Sequence, residues 1–310
     1  MDSPVTEPAD ESHEPAGGLS GLLALETVDV DTFRAPAAPG SPARLFGGQV
    51  AAQAHTAAAH TVTEARPHSL HAYFLRPGDS GSPVLFRVDR LHDGRAFRRR
   101  RVTAIQQGQP ILCLESSFTT DDSGLDDHPG MPAVPGPEDC PRLEKGANRR
   151  GSRPAPWAML EARTVPSSGS DATVAAARDI WIRLRAGDIA ESIPPEAVIT
   201  YLSDLTLAAT SVRATERRPE GRLDVKRVTS LDHSVWFHNP ARLSGWLLYA
   251  KAVPAVGPLR GIVMGQIFNR DGTLVATVAQ EALLRLPLGN RPVPLIKEKL
   301  SIPNGPVSKR

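Results

Sequence analysis

The sequence predicts an α+β protein made of two similar repeats. Two stretches, 44–120 and 179–286, are dense in apolar pattern and share one order of elements, a helix followed by four strand-like runs. The stretch between them, 121–178, is rich in Pro, Gly, Ser and Asp, which is typical of a linker. A helix followed by antiparallel strands forms an α+β unit in which the helix covers one face of a sheet.

The first repeat opens with an alanine-rich helix, predicted over residues 48–62. A leading strand is predicted within residues 23–33. Asp93-Gly94 separates two of the later strand runs, and Asp-Gly between two β patterns is a strong hairpin signal. The four runs after the helix cover residues 69–76, 84–91, 96–107 and 111–119.

The second repeat opens with an apolar strand over Ile180–Leu184 and a helix over residues 194–212. Ser192 can cap this helix, and Glu196 complements the positive end of its dipole. Asp271-Gly272 marks a second hairpin between two of the strand runs. Those four runs cover residues 224–238, 244–253, 261–269 and 274–286.

The domain organisation follows from these patterns. Two α+β units can pair their sheets edge to edge, which hides two edges that a lone sheet would expose. A short helix is predicted within the linker, near residues 157–162. The expected segments are a disordered acidic tail over 1–20, an N-terminal repeat over 21–120, a linker over 121–178, a C-terminal repeat over 179–286 and an extension over 287–310.

Composition and charge argue against several classes of protein. The 36 basic and 34 acidic residues give a net charge of +2, whereas a nucleic-acid-binding protein normally has a clustered basic excess. No apolar run reaches the roughly 18 residues of a membrane span, and the acidic start is unlike a secretion signal. Cys113 and Cys140 form no C-x-x-C pair. We therefore expect a reduced, cytoplasmic protein.

The nine histidines do not form a metal-binding pattern. The H-E-x-x-H motif is absent, and the pairs His68/His71 and His233/His238 each lack a second pair of ligands. His71 and His233 are instead predicted to make structural hydrogen bonds. We expect neither a metal ion nor a cofactor.

Several long motifs, in both halves and in order, resemble the bacterial acyl-CoA thioesterase II family. The resemblance covers residues 44–120 and 179–286. The motifs that carry it are Phe46–Ala54 (FGGQVAAQA), His71–Asp79 (HAYFLRPGD), Asp93–Phe97 (DGRAF), Ser203-Asp204, Leu231–His238 (LDHSVWFH), Trp246–Tyr249 (WLLY) and Gln280-Glu281.

The resemblance implies a double-hotdog fold, in which each repeat has a long helix wrapped by a curved antiparallel sheet. It also implies hydrolysis of acyl-CoA to a free acid and CoA, as part of fatty acid metabolism. The family's catalytic Asp, Thr or Ser, and Gln fall on Asp204, Ser230 and Gln280, which together would hold the attacking water. The common hydroxyl residue is threonine, so Ser230 is a departure. The adjacent Thr229 points to the opposite face of the strand by alternation. The first repeat has no matching set, so one active site per chain is expected.

The local sequence around these residues fits water activation. Asp204 lies on a largely apolar helix face, where lost solvation raises the pKa of a carboxylate toward that of a useful base. Gln280 lies in an apolar row of its strand, and an unpaired buried amide costs about 1–3 kcal/mol. It therefore needs a partner, which Ser230 and a bound water would supply. Without the motifs, a solvated or N-cap-like residue is the simpler interpretation of Asp204, and a backbone-bonded glutamine is an equally good interpretation of Gln280.

Two further pairs are candidates for substrate binding. Gly47 and Gly48, at a helix start, are candidates to donate backbone N–H groups to the oxyanion of the reaction. Arg100 and Arg101, in the basic run 98–101, are candidates to contact the phosphates of CoA. The alternative for this run is a solvated strand edge that deters aggregation.

Two other function classes stay open on the sequence alone. An enoyl-CoA hydratase on the same frame would use an Asp/His pair, for which Asp232 and His233 are the only hint, and alternation places them on opposite faces. A non-catalytic acyl-CoA-binding protein is the other class. The expected partners are the acyl-CoA substrate and further copies of the chain, because hotdog units expose sheet edges.

Overall fold

A computed structural model of the chain describes most of the two predicted repeats. Residues 1–17 of the predicted acidic tail, the predicted cap Ser192 and the extension over 287–310 lie outside the described residues. The described residues are 18–37, 44–120, 124, 127–143, 157, 159–166, 179–185, 193–215, 225–257 and 259–286.

The first half contains the predicted helix and the four predicted strands after it. Its central helix is alanine-rich, and every side chain from Val50 to Ala58 is buried because small residues allow close packing on all sides. The predicted leading strand is instead a short helix followed by a hairpin. The elements are α1 (Gly18–Leu23), β1 (Glu26–Asp29), β2 (Thr32–Ala35), α2 (Gly47–Ala59), β3 (Arg66–Phe74), β4 (Val84–Asp93), β5 (Phe97–Gln106) and β6 (Gln109–Thr119).

The second half departs from the prediction at two interruptions. The single helix predicted over 194–212 is two helices, separated at Leu205 and Thr206. The strand predicted over 224–238 is two strands, separated at Leu231. The elements are β7 (Leu160–Thr164), β8 (Ile180–Leu184), α3 (Pro195–Asp204), α4 (Leu207–Ala214), β9 (Arg227–Ser230), β10 (Asp232–Phe237), β11 (Leu247–Val256), β12 (Arg260–Asn269) and β13 (Leu274–Arg285).

Part of the stretch predicted as a linker belongs to the folded second half. The short helix predicted near 157–162 is wrong, because Leu160–Thr164 is a strand that pairs antiparallel with β8. Alternate residues Leu160 and Ala162 are buried, as expected of a strand with one face on the core. The Trp181 indole N–H also donates to the carbonyl of Pro135, 2.9 Å away, which ties this stretch to β8.

Both predicted Asp-Gly hairpins are confirmed. Asp93-Gly94 ends β4 and begins the turn into β5, and Asp271-Gly272 lies between β12 and β13. Gly272 has a φ of +93°, a backbone conformation that glycine adopts without the steric cost of a Cβ atom.

One antiparallel sheet connects all the strands of the described residues. Its order is β1-β2-β4-β5-β6-β3-β10-β13-β12-β11-β8-β7, and β9 also pairs with β13. The two halves meet where β3 pairs with β10, with Tyr73 opposite Asp232 and Ser69 opposite Trp236. The predicted edge-to-edge pairing of the two repeats is therefore confirmed.

The helices of the two halves pack together and share one core. α2 contacts α3, and the side chains of both helices join those of the strands in a single hydrophobic cluster. Phe46, just before α2, packs edge-on against the ring of Tyr201 in α3, with ring centroids 5.2 Å apart. This packing brings the start of α2 to the end of α3. No helix within the described ranges has the length and apolar character needed to cross a membrane.

Candidate active site

The three predicted catalytic residues meet at the end of α3. Asp204 is the last residue of that helix and is buried. Its Oδ1 atom accepts a hydrogen bond of 2.8 Å from Nε2 of Gln280 in β13, and a longer one of 3.4 Å from Oγ of Ser230 in β9. Three separate elements therefore converge on one carboxylate.

A β-bulge places Ser230 on the face that meets α3. Ser230 lies opposite Ala282, and Ser234 lies opposite Ala279. The four residue steps from Ser230 to Ser234 therefore face only three steps on β13. One extra residue in a strand reverses the alternation of side chains beyond it. Ser230 consequently shares a face with Ala282 and with Gln280, two residues earlier on β13.

The bulge brings the side chains of Ser230 and His233 to the same face of the sheet. Alternation along an unbroken strand places Ser230 and His233 on opposite faces, yet both side chains reach α3, at Asp204 and at Ser203 respectively. Thr229 does lie on the other face from Ser230, since its partner on β13 is Leu283, next to the partner of Ser230.

Burial controls the acidity of the site. Loss of solvation raises the pKa of Asp204 from 3.8 to about 6, while hydrogen bonds from Gln280, from the Gly48 backbone and from Ser230 act in the opposite direction. A carboxylate with a pKa of about 6 is ionised at neutral pH, and it is a stronger base than an exposed aspartate.

Gln280 completes the polar surroundings of the carboxylate. Its side chain is 1% exposed, and its Nε2 donates to Asp204 rather than to Ser230, the partner that the sequence suggested. Its Oε1 atom is buried and meets no hydrogen-bond donor among the described residues. Because such an oxygen is costly to leave unpaired, it is suited to accept an O–H group from a small molecule bound beside Asp204.

The glycines at the start of α2 let the helix end touch the carboxylate. The Gly48 backbone amide acts on the Asp204 carboxylate and lowers its pKa. A Cβ atom on Gly47 would lie 3.0 Å from Oδ2 of Asp204, and one on Gly48 would lie 2.9 Å from Cβ of Asp204. The positive end of the helix dipole therefore faces a negative charge. The oxyanion role stays a prediction for both Gly47 and Gly48.

Arg100 is a structural residue in this fold. Its side chain is 1% exposed, and its guanidinium donates to Oγ1 of Thr61 at 2.8 Å and to Oδ1 of Asp93 at 2.6 Å. The predicted contact with CoA phosphates is wrong for Arg100, because its donors are buried and paired. Arg101 points to the opposite face, where it is exposed and pairs with Glu115 at 2.7 Å. A phosphate contact stays a prediction for Arg101.

The predicted structural histidines are both hydrogen-bonded to serines. Nε2 of His233 lies 2.7 Å from Oγ of Ser203, and Nδ1 of His71 lies 3.0 Å from Oγ of Ser234. Burial lowers the pKa of His233 to about 4, so its imidazole is neutral at physiological pH. The sequence analysis names Ser203 as part of a family motif but assigns it no role, although it directly precedes the catalytic candidate.

Comparisons with known proteins agree with this arrangement of fold and site. The acyl-CoA thioesterase N-terminal domain family matches residues 35–120, and the acyl-CoA thioesterase C-terminal domain family matches residues 129–284. The chain belongs to the acyl-CoA thioesterase family. It is therefore a thioester hydrolase that acts on acyl-CoA. The second match begins within the stretch predicted as a linker, in agreement with the position of β7 in the sheet.

Individual relatives cover most of the chain. Acyl-coenzyme A thioesterase 8 of Mus musculus is 36% identical over an alignment of 295 residues, and the alignment covers 86% of this chain and 89% of the mouse protein. Acyl-CoA thioesterase 2 of Haemophilus influenzae is 34% identical over an alignment of 284 residues, which covers 86% of this chain and 96% of the bacterial protein. Among solved structures, the acyl-CoA thioesterase II TesB2 of Mycobacterium marinum has a TM-score of 0.74 at 33% identity, covering 88% of this chain and 99% of that one.

The predicted double-hotdog fold is confirmed by these structures. A protein of Alicyclobacillus acidocaldarius, described as having a hot dog fold, superposes with a TM-score of 0.70 at 21% identity and covers 87% of this chain and 98% of that one. Similarity at that level of identity shows a shared fold. In this chain the fold consists of the continuous antiparallel sheet and the central helices described above.

Proposed function

We propose that the thioesterase reaction of this chain uses a water molecule activated by Asp204 and held by Ser230 and Gln280. The observation that carries the proposal is the convergence of an amide and a hydroxyl on one buried carboxylate, at 2.8 and 3.4 Å. No metal or nucleophilic side chain is required by this arrangement, because the carboxylate itself can accept the proton of water.

The proposed reaction has two steps. In the first, the water oxygen forms a bond to the thioester carbonyl carbon, the π electrons of the C=O bond move onto its oxygen to give an oxyanion, and a proton of the water passes to a carboxylate oxygen of Asp204. In the second, the tetrahedral intermediate collapses, the C–S bond breaks, and the thiolate of CoA receives the proton from Asp204. The products are a free acid and CoA, and Asp204 returns to its ionised state.

The surrounding groups suit this chemistry. The Gln280 Oε1 atom can accept the second O–H of the water, which would direct a lone pair of the water oxygen away from the protein. The Gly48 N–H and the end of α2 stabilise Asp204 in its ionised form before the reaction. A pKa of about 6 keeps Asp204 ionised yet basic at neutral pH.

The Asp204→Asn variant tests the proposal, with Asp232→Asn as its matched control. An amide cannot take the proton of water, so we expect kcat with palmitoyl-CoA to fall by about 10²–10⁴-fold, followed as thiol release with a thiol-reactive dye. Asp232 accepts the backbone N–H of Glu281 at 2.7 Å, a bond that an asparagine oxygen can also accept, so D232N should retain nearly full activity. A fully active D204N enzyme would exclude Asp204 as the base.

The same pair of variants separates the hydratase alternative. A hydratase that used Asp232 and His233 would lose activity in D232N and would release no thiol from acyl-CoA. In the fold, Asp232 accepts the backbone N–H of Glu281, whereas His233 is hydrogen-bonded to Ser203. The two side chains therefore do not form a pair. No observation at the site favours this second reaction.

We further propose that the enzyme acts in fatty acid metabolism, in the cytoplasm, as a homo-oligomer. The oligomer is supported by β1, a short strand at one edge of the sheet within the described residues, where a second chain could pair. The other end is less open, because residues 141–143 hydrogen-bond to β7. Light scattering after size-exclusion chromatography tests the oligomeric state. A single species at the mass of one 33.2 kDa chain would contradict it.

A further inference from the structure

The interruption between α3 and α4 lies directly after Asp204 and is held from β11. Tyr249 and Lys251 are two residues apart on that strand, so their side chains leave the same face. The Tyr249 hydroxyl donates to the carbonyl oxygen of Ser203 at 2.7 Å, and Nζ of Lys251 donates to Oγ1 of Thr206 at 3.0 Å. The two contacts thus fall on either side of Asp204.

The Tyr249 contact satisfies a backbone group that the helix end leaves open. The last four carbonyls of an α-helix have no donor within that helix, and Ser203 is the second-last residue of α3. Tyr249 is 1% exposed, so its hydroxyl replaces water as the donor. A Cβ atom on Gly265, its neighbour on β12, would collide with the tyrosine ring. A glycine there is therefore what allows the ring to reach the helix.

Ser203 is also held through its side chain. Its Oγ donates to the Thr200 carbonyl at 2.9 Å and lies 2.7 Å from Nε2 of His233. Both Ser203 and His233 are fully buried. The residue before Asp204 consequently has its carbonyl fixed by one strand and its hydroxyl fixed by another, which leaves little freedom for the helix end to rotate.

Lys251 lies in a charged and aromatic environment at the start of α4. Its backbone N–H donates to Oδ1 of Asp179 at 2.8 Å, and its Nζ lies 5.3 Å from the centre of the Tyr249 ring. Asp179 and Arg213 are the charged groups that act on it, with opposite effects, and burial lowers its pKa to about 7. Burying an amine that has so few charged partners is costly, which argues for a role at Thr206.

We propose that Tyr249 and Lys251 are positioning residues that fix the break between the two helices and thereby hold the Asp204 carboxylate within reach of Gln280 and Ser230. The inference rests on the proposed role of Asp204 as the base. Neither side chain needs to contact the substrate. Their effect passes through Ser203 and Thr206, whose positions determine where the carboxylate between them lies.

The Tyr249→Phe variant tests this inference, because it removes one oxygen atom and keeps the ring. A displacement of a catalytic group by about 1 Å can cost about 100-fold in rate, so we expect kcat to fall by about 10- to 100-fold with little change in KM. The pH at which kcat is half-maximal should also move, because the hydrogen bonds that set the pKa of Asp204 depend on its position. Tyr73→Phe is the control, since Tyr73 is 64% exposed.

A purely structural role for Tyr249 gives a different result. The melting temperature would fall, while kcat, KM and the pH profile measured well below that temperature would match the wild type, and this outcome overturns the proposal. A raised KM with unchanged kcat would place Tyr249 in substrate binding and would overturn it as well. Lys251→Met removes the contact on the other side of Asp204 and should lower kcat in the same way. This variant tests the proposal if Y249F does not fold.

The D204N variant separates failure of this inference from failure of the proposed function. If D204N is inactive and Y249F has normal kcat and pH dependence, Asp204 is the base but does not depend on β11. If D204N is fully active, the base has been assigned wrongly and the positioning proposal fails with it.

Discussion

Nε2 of Gln280 lies 2.8 Å from Oδ1 of Asp204, and this bond joins the end of α3 to the middle of β13. The two residues are 76 positions apart in sequence, so the site exists only when the helix packs on the sheet. The bond also lowers the pKa of a carboxylate whose burial raises it. Position and acidity at this site therefore depend on the same contact.

Replacing Gln280 by glutamate should shift the activity of the enzyme to higher pH. Two carboxylates in hydrogen-bond contact cannot both ionise easily, so the pair retains one proton to a higher pH than Asp204 alone. We expect kcat/KM at pH 7 to fall at least tenfold, with its acidic limb displaced upward. The measurement is a pH profile of thiol release.

Gln266→Glu provides the control for the added charge. Gln266 is half-buried on β12, where it lies opposite Thr277 rather than Asp204. An unchanged pH profile in Q280E, or the same displacement in Q266E, would contradict the direct coupling of Gln280 and Asp204.

Ser230 should be replaceable by threonine but not by alanine. Threonine keeps the hydroxyl that bonds Asp204, and it is the common residue at this position in the family that the sequence resembles, so S230T should retain kcat within a few-fold. S230A should lose about tenfold or more. Thr229→Ala, one residue away on the other face of β9, is the matched control and should have little effect on kcat. Equal kcat for S230A and T229A would remove Ser230 from the site.

The wild-type enzyme should lose activity as pH falls through about 6. Asp204 must be ionised to accept a proton from water, and its pKa is raised to about 6 by burial. Below that pH the carboxylate is increasingly protonated, so kcat/KM should fall about tenfold for each pH unit. An activity that stays constant down to pH 4 would show that no group with this pKa is required.

Much of the fold could be predicted because the hydrophobic pattern and the turn residues agree. The alanine-rich helix, the four strands after it, β11 to β13 of the second half and both Asp-Gly hairpins lie close to their predicted positions. The bounds that the sequence predicts for Ile180–Leu184 match the observed strand, because a short apolar run between polar stretches permits few alternatives.

The features that shape the site are those that periodicity cannot show. The break at Leu205 and Thr206 and the bulge at Leu231 each require contacts from elsewhere in the chain, from β11 in the first case and β13 in the second. The helical pattern of the sequence continues through Leu205 and Thr206, and the strand pattern continues through Leu231. The three catalytic candidates came from motif resemblance, whereas their mutual contacts depend on these irregularities.

The burial of Arg100 could not be inferred from its sequence either. Alternation along the strand separates Arg100 from Arg99 and Arg101, but it does not show which face is the core, where Thr61 and Asp93 meet the Arg100 guanidinium. A buried arginine needs such partners, and those partners are supplied by the chain after α2 and by the end of β4.

Removing the Arg100 side chain should destabilise the fold without weakening CoA binding. In Arg100→Met, Thr61 and Asp93 lose their partner, and we expect the free energy of unfolding to fall by about 2–3 kcal/mol, measured by chemical denaturation. The KM for acyl-CoA should stay within twofold of the wild type. In Arg101→Met, only an exposed ion pair with Glu115 is lost, which costs less than about 1 kcal/mol. A raised KM in R100M with unchanged stability would contradict the structural role of Arg100.

Finally, the D204N variant should be more stable than the wild type at neutral pH. The folded-state pKa of Asp204 is raised from 3.8 to about 6, so between these values the native protein binds more protons than the unfolded chain, and its stability decreases as pH rises. Above pH 6 the ionised carboxylate costs up to about 3 kcal/mol, at 1.36 kcal/mol for each pKa unit. Asparagine is uncharged and removes this cost, although it gives up part of the hydrogen bonding to Gln280. The melting temperature of D204N should therefore exceed that of the wild type at pH 7.5, and the difference should shrink or vanish at pH 4. A lower melting temperature for D204N at pH 7.5 would mean that the hydrogen bonds to the carboxylate outweigh its lost solvation.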